Sequence, residues 1–514
     1  MSVLEFPERF RWGVSESGFQ FEMGDEYRRY LDVNTDWWHW VRDPVNISMK
    51  LVSGDLPEDG VNYLELYKVD HEIAEHMRLN LYRLGIEWSR VFPFSTKFVE
   101  VDVEFDGYGI VRDVKVTDEV LNQLDELADH NAIDIYRNII LDLRSRGFKV
   151  ILNLSHFTFP YWIHNPIRAR ASCLNKGPRG VVEDSFPIEF AKFAAYVAWK
   201  FGDIVDMWVT FNEPMVPVEL GYMGTYSGFP PGVNRPDIVP KALLNIAVAH
   251  ALAYRVIKRF DTVKADEDSS SSAEVGIVHN IIPSHTVGDE ESSRASEHYS
   301  YFHNHLLLEA IVHGRFDEVL DGKTILNPKV LGHSLDWLGI NYYTRIVVRR
   351  RPGRFEGYPI LDFEAVSGYG YACIPYGLSK AGRKCDGMGW EMYPEGLLEA
   401  LDVGRRCSSV IYVTENGVSD SKDILRPSYL VNHLYVILLA VERGIDVKGY
   451  LHWALTDNYE WTHGFKQKFG LYEVDLITKE RRARHSANIY KQIVTSNSIP
   501  RDYLRHLINM GDRR

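Results

Sequence analysis

The sequence predicts an α/β protein: a single (β/α)8 TIM barrel over residues 1–514, with long insertions at the C-terminal face of its strands. Three observations predict it. Eight apolar runs recur along the chain with helix-period stretches between them, as parallel strands joined by crossover helices require. Most runs are apolar at successive positions rather than alternating, which is how strands covered on both faces read. Two of them end in a carboxylate. Val410-Ile-Tyr-Val-Thr-Glu-Asn-Gly417 delivers Glu415, and Met207-Trp-Val-Thr-Phe-Asn-Glu-Pro214 delivers Glu213 before a proline that has no N–H to continue the ladder. Barrel chemistry sits at the C-terminal strand ends, so two glutamates placed there face one pocket.

In chain order the strand-like runs cover residues 11–17, 81–90, 149–156, 207–213, 275–280, 337–343, 410–417 and 447–454. Helical periodicity is carried by 69–77, 133–146, 187–199, 240–260, 394–401 and 429–443. The excess length lies in 41–60, 95–130, 160–186 and 345–388, mixed-polarity connections that would build the rim of the pocket. Residues 265–274, Ala-Asp-Glu-Asp-Ser-Ser-Ser-Ser-Ala-Glu, read as a mobile acidic surface loop. No linker divides the chain, and no repeat is present beyond the βα alternation.

Composition narrows the function classes. A hydrophobic fraction of 45% is ample for a large core. The net charge of −13 argues against nucleic acid as the main partner, since phosphate binding needs a basic face. No apolar run reaches membrane-spanning length, and the first residues carry no apolar leader core. Four cysteines without CxxC spacing (Cys173, Cys373, Cys385, Cys407) fit a reducing compartment, so a cytoplasmic protein is expected, with Cys373 and Cys385 unpaired. Glutamine occurs only at positions 20, 123, 467 and 492, a scarcity of thermolabile amides that fits a thermophile.

Two glutamates converging on a glycosidic bond do complementary work. One, its acidity weakened by burial and by the other's charge, protonates the leaving oxygen. The other attacks the anomeric carbon if the two lie about 5 Å apart, whereas a wider gap admits a water and inverts the configuration. Elsewhere the signals are bland. His303 and His305, two apart on an expected helix, face different ways and make a poor metal pair, so neither a metal nor a cofactor is expected. Gly368-Tyr-Gly-Tyr371 lacks the third glycine and the following helix of a dinucleotide loop.

The motifs Thr-Phe-Asn-Glu-Pro214 and Thr-Glu-Asn-Gly417 occur together with Phe19-Gln-Phe-Glu22, Tyr82-Arg-Leu-Gly-Ile-Glu-Trp-Ser-Arg90, Asn341-Tyr-Tyr343 and His452-Trp-Ala-Leu-Thr-Asp-Asn-Tyr-Glu-Trp461. In that order they resemble family 1 glycoside hydrolases over essentially the whole chain. The Asp36-Trp-Trp-His-Trp40 segment and the insertions look most like the archaeal β-glycosidases. The resemblance implies a cofactor-free exo-β-glycosidase that acts with retention on β-mannosides, β-glucosides or β-galactosides. It makes Glu213 the general acid/base and Glu415 the nucleophile. Asn212 would bind the sugar 2-hydroxyl, while Arg83 and Tyr343, with Asn341 beside them, would favour the charged form of Glu415. Gln20, His156 and Glu460 would hold ring hydroxyls, Trp453 would stack, and Trp461 and Phe469 would complete the wall.

One departure bears on specificity. Family members commonly have His-Trp where this chain has His156-Phe157, and phenylalanine has no N–H to offer the sugar 3-hydroxyl. The His-Phe pair resembles the archaeal branch described as β-mannosidases, which leans the glycone towards mannose. Glu460 would repel a 6-phosphate, so an unphosphorylated sugar is favoured over the family's 6-phosphosugar branch. A catalytically silent sugar-binding relative is disfavoured because both glutamates are present; a transglycosylating enzyme on the same scaffold is not distinguished from a hydrolase. Dimers or tetramers are expected by analogy, with residues 500–514 a candidate interface segment.

Overall fold

The computed structural model describes residues 4–224, 227–288 and 290–507. Its centre is a closed barrel of eight parallel strands: β1 (Arg11–Ser15), β2 (Leu81–Gly85), β3 (Lys149–Asn153), β4 (Met207–Asn212), β5 (Glu274–Asn280), β6 (Trp337–Asn341), β7 (Ile411–Asn416) and β8 (Val447–His452). Each strand pairs with its neighbours in sequence, and β1 closes the ring on β8. Helices α1 (Tyr63–His76), α2 (His130–Ser145), α3 (Phe186–Phe201), α4 (Val239–Phe260), α5 (Leu306–His313), α6 (Glu395–Gly404), α7 (Arg426–Glu442) and α8 (His485–Ser496) follow the strands in turn. Local chemistry starts several of them. Asp129 caps α2 by accepting from the N–H groups of Asn131 and Ala132, and proline stands in the first turn of α3, α4 and α7, where its missing N–H is harmless. Among the described residues no helix is long and apolar enough to cross a membrane.

The barrel interior divides into two levels. Below, Leu81, Ile151, Met207, Val209, Val278, Trp337, Tyr412 and Leu451 pack into an apolar plug. Above it, the same inward positions turn polar: Arg83, Asn212, Asn341 and Glu415 are all buried. Simple alternation explains Arg83 above Leu81 and Asn341 above Trp337. It does not explain Asn212 or Glu415. On β4 the register shifts between Val209 and Asn212, so that Phe211 turns out against Phe190 of α3 and Asn212 turns in. On β7 a shift between Val413 and Asn416 leaves Thr414 and Glu415 both inside. Bulges of this kind re-aim side chains at barrel rims.

The expected order of elements holds, but boundaries moved. Most strands stop short of their apolar runs: β2 ends at Gly85, and the Trp88–Val91 segment that follows is a helical turn. Helix α8 had no predicted counterpart, while the helix expected around His303 and His305 is a π-helical turn, Ser300–His305, that runs on into α5; α5 itself is only eight residues, LLLEAIVH, too short and too uniformly apolar to show a period. The acidic stretch 265–274 is not free surface. Asp266 pairs with Arg144 at 3.0 Å, Asp268 with Arg11, and buried Ser269 accepts from Lys149 at 2.7 Å, while Glu274 already belongs to β5. Of the segment 500–514, Arg501–His506 forms a 3-10 turn whose His506 carbonyl accepts from Ser428 of α7; residues 508–514 lie outside the described residues.

Beneath α1, Glu16 is buried and neither carboxylate oxygen has a hydrogen-bond partner among the described residues. Burial, then the charge of nearby Asp70, holds its carboxyl well above the ordinary 4.5. The folded chain therefore keeps a proton that the unfolded chain releases. This contribution to stability is complete below about pH 4.5 and is lost as pH rises through the folded-state value. Glu16→Gln removes the titration while keeping the shape. Its melting temperature relative to wild type should climb between pH 5 and pH 9; parallel melting curves over that range would show that Glu16 is not held neutral.

Candidate active site

The two strand-end glutamates are joined by a continuous chain of hydrogen bonds. Arg83, fully buried, donates from Nη1 to Glu415 Oε1 at 2.6 Å and from Nη2 to Asn212 Oδ1 at 2.7 Å. Asn341 Nδ2 lies within hydrogen-bond reach of Asn212 Oδ1 at 3.0 Å and of Glu213 Oε1 at 2.6 Å. The Thr414 hydroxyl donates to Asn341 Oδ1 at 2.8 Å and fixes that amide's orientation. The Tyr343 hydroxyl donates to Glu415 Oε2 at 2.7 Å. Both oxygens of Glu415 thus meet strong donors, one of them cationic.

Glu213 lives in a different environment. Burial foremost, then the charge of Glu415, pushes its carboxyl up to about 8 against the opposing pull of Asn341 and Arg83. Two carboxyl groups in one cavity, held in such unequal surroundings, form an acid beside a base. Glu460 is likewise pushed up to about 8 by burial and by Glu415, and Gln20 Nε2 reaches it at 3.4 Å. Burial drives the His156 imidazole well below its ordinary value, with Arg83 adding to the effect, so the ring is neutral beside Asn212 Nδ2 at 3.0 Å.

These groups open into a cavity of about 400 Å³, lined by Glu213, Glu415, Asn212, His156, Phe157, Tyr343, Trp453, Glu460, Trp461 and Phe469 among others. Arg83 and Asn341 stand beneath it, and Gln20 is held beside Glu460 by Ser17 and Asn458. One wall is aromatic. His156 stacks between Trp453 and Trp461, at centroid distances of 5.8 and 5.9 Å, and Phe157 packs on Trp461 at 5.0 Å. Trp37, from the tryptophan-rich segment, donates its indole N–H to the Phe157 carbonyl at 3.3 Å. Glu213, Phe157 and Trp461 all have left-handed backbones, with φ of 44°, 70° and 44°. Each such residue costs roughly 1–3 kcal/mol and persists only where its surroundings hold it, and such strain clusters at functional sites.

All thirteen residues singled out from the sequence converge on this one region. Several that line the same cavity escaped notice: Glu219, Asn280, Tyr371, Met388 and Trp390, with His303 considered only as a metal ligand. Glu219 lies on the helix Met215–Tyr222 that follows Glu213, at a spacing that gives no sequence signal. Tyr371, Met388 and Trp390 come from the long connection after β6, where no sequence signal marks which side chains turn inward.

A parallel barrel with two glutamates in unequal surroundings at its C-terminal rim, walled by tryptophan, has the makings of a carbohydrate-cleaving hydrolase. Comparison with known proteins agrees. The model of glycosyl hydrolase family 1 matches residues 3–105 and 125–499, and the chain belongs to that family; it is a retaining β-glycosidase, an O-glycosyl hydrolase. It is 52% identical to a β-galactosidase of Pyrococcus woesei, over 98% of this chain and 99% of that one. The solved β-glycosidase of the hyperthermophile Thermosphaera aggregans superposes with a TM-score of 0.87 at 40% identity, covering 98% and 99% of the two chains. A solved β-glucosidase mutant derived from a hyperthermophilic tetramer gives 0.85 at 39% identity, with 98% of this chain and 99% of that one covered.

Proposed function

We propose that the protein is an exo-β-glycosidase of the cytoplasm that releases terminal β-mannosyl, β-glucosyl and β-galactosyl groups, with Glu415 as nucleophile and Glu213 as acid and base. The observation that carries this is the unequal environment of the two glutamates at either end of the Arg83–Asn212–Asn341 chain. In the first step Glu415 forms a bond to the anomeric carbon while the bond to the leaving oxygen breaks, and Glu213 gives that oxygen its proton. In the second, Glu213 takes a proton from water as the water displaces Glu415, restoring the original configuration. Forming the glycosyl ester removes the charge on Glu415, which is the second cause of the raised value at Glu213. With that charge gone Glu213 gives up its proton more readily, so the carboxyl that is protonated when it must donate is ionised when it must accept.

Asn212, oriented by Arg83 and Asn341, is the candidate ligand of the sugar 2-hydroxyl. Trp453 and Trp461 supply apolar faces, and Gln20, His156 and Glu460 supply hydroxyl partners. Phe157 supplies only surface where an indole N–H would meet the sugar 3-hydroxyl, so hydroxyl recognition at the glycone is altered there, and this supports acceptance of manno alongside gluco and galacto sugars. Phe157→Trp should shift the kcat/KM ratio of nitrophenyl β-mannoside to β-glucoside towards glucoside by about tenfold, the scale of one hydrogen bond. An unchanged ratio would remove Phe157 from the specificity argument. Assembly as a homo-oligomer is supported by the tetrameric origin of the related β-glucosidase and is tested by light scattering of the purified chain.

A further inference from the structure

Gln20 and the pair His156–Phe157 stand on different arms of the rim, the first after β1 and the second after β3. Strand β2 runs between those arms, and its continuation places Glu87 at the start of the helical turn Trp88–Val91. Glu87 is buried and is not among the residues that line the cavity. Its carboxyl nevertheless joins the two arms. The Phe19 N–H donates to Oε1 at 2.9 Å, and the Thr158 hydroxyl lies 2.6 Å from Oε2. Phe19 adjoins Gln20, and Thr158 adjoins Phe157. Gly18 leaves room for this contact, since a Cβ there would overlap the Glu87 carboxyl.

The bridge is anchored from both sides. The Glu87 N–H donates to the Tyr136 hydroxyl of α2 at 3.0 Å, and that hydroxyl donates to Glu22 Oε1 at 2.7 Å. Arg90 Nε donates to Glu22 Oε2 at 2.5 Å, so the segment after β2 holds the β1 arm at a second point. On the β3 arm, Asp36 accepts from the Phe159 N–H at 3.0 Å and meets His164 Nδ1 at 2.7 Å. Phe157 needs such restraint, because its left-handed backbone persists only where the surroundings fix it. None of these hydrogen bonds is shared with the Arg83–Asn212–Asn341 chain. Burial, then the charges of Glu22 and Asp32, pushes the Glu87 carboxyl up to about 8, which favours its neutral form at pH 7. Glutamine has that form's shape and pairing, with Oε1 accepting from Phe19 and Nε2 donating to Thr158.

We propose that Glu87 is a positioning residue: its carboxyl sets the spacing between Gln20 and His156, and so the grip of the site on the ring hydroxyls that these two hold. This deepens the assignment of Gln20 and His156 as hydroxyl ligands and rests on it. A hydrogen bond tolerates only about half an ångström in donor–acceptor distance. A small shift of either arm therefore weakens hydroxyl recognition while Glu213 and Glu415, held by their own network, keep their places.

The test compares kcat/KM for nitrophenyl β-glucoside with its 2-, 3- and 4-deoxy analogues in the wild type, Glu87→Ala, Glu87→Gln and Thr158→Val. In Glu87→Ala the larger of the 3- and 4-deoxy penalties should shrink by about tenfold, the scale of one hydrogen bond. Thr158→Val removes one of the two contacts at nearly constant volume and should shrink the same penalty, which carries the test if Glu87→Ala does not fold. Glu87→Gln should keep the wild-type penalty. The 2-deoxy penalty should stay constant throughout, because Arg83 and Asn341 place Asn212. Each penalty is a ratio, so it does not depend on how much of a variant folds. Wild-type penalties in both Glu87→Ala and Thr158→Val, or a 2-deoxy penalty that falls with the others, would overturn the proposal while leaving the β-glycosidase function intact. Equal losses in Glu87→Gln and Glu87→Ala would do the same. A wild type indifferent to loss of the 3- and 4-hydroxyls would overturn the hydroxyl-ligand assignment and the proposal with it.

Discussion

Glu415→Ala should lower kcat on alkyl and disaccharide β-glycosides by roughly 10⁴–10⁶-fold, the scale on which enzymes lose a covalent nucleophile. The side chain stands where Arg83 and Tyr343 present two donors at 2.6 and 2.7 Å, so its removal leaves a small cavity lined by a cation and a phenol. Azide fits that cavity and its charge. With an activated aryl glycoside, azide should restore turnover by forming a C–N bond to the anomeric carbon as the aryloxide departs. The product has the inverted configuration, because only one displacement then occurs. A variant that retained wild-type turnover, or an azide product of retained configuration, would remove Glu415 as the nucleophile.

Glu213→Gln should behave differently, and its signature is leaving-group and pH dependence. General acid catalysis contributes about 10²–10⁴-fold where the leaving group is a poor one, and little where it departs unaided. Alkyl glycosides should lose that much in kcat/KM, whereas dinitrophenyl glycosides keep a first step close to wild type. The pH profile carries an independent sign. Glu213 acts as the acid only while protonated, so wild-type kcat/KM holds below about 8 and falls as pH rises through that value. The glutamine variant has no such proton, and its profile on dinitrophenyl glycosides should lose this alkaline limb. Equal losses for every leaving group, with the limb retained, would mean that another residue delivers the proton.

The two glutamates are more legible in the sequence than the rest of the site. Each could be placed at a strand end because an apolar run followed by a carboxylate and a proline or glycine is a local pattern, and parallel strands expose their chemistry only at that end. Gln20, His156 and Glu460 needed the family resemblance, since nothing local separates a ring-hydroxyl ligand from a satisfied core polar residue. Their burial and mutual hydrogen bonds explain the difficulty: each is tied to residues distant in the chain, as Gln20 is to Asn458 at 3.1 Å. The stretch 265–274 shows the opposite error. Its serines and acids have the composition of a solvated loop, and the cations that hold it, Arg11, Arg144 and Lys149, lie more than a hundred residues away.

By itself the sequence determined the barrel, its eight strands and the positions from which chemistry is launched, because burial on both faces and strand-end residue choice are written in consecutive positions. Tertiary structure alone decided which way the decisive side chains point. Strict alternation from Tyr412 would aim Glu415 at the surrounding helices, and alternation from Val209 would do the same to Asn212; shifted pairing with β5, β6 and β8 turns both inward. It also decided the acidity of Glu213, since desolvation and the field of Glu415 exist only once the barrel has closed. A strand's own residues set its period, but its neighbours set its register.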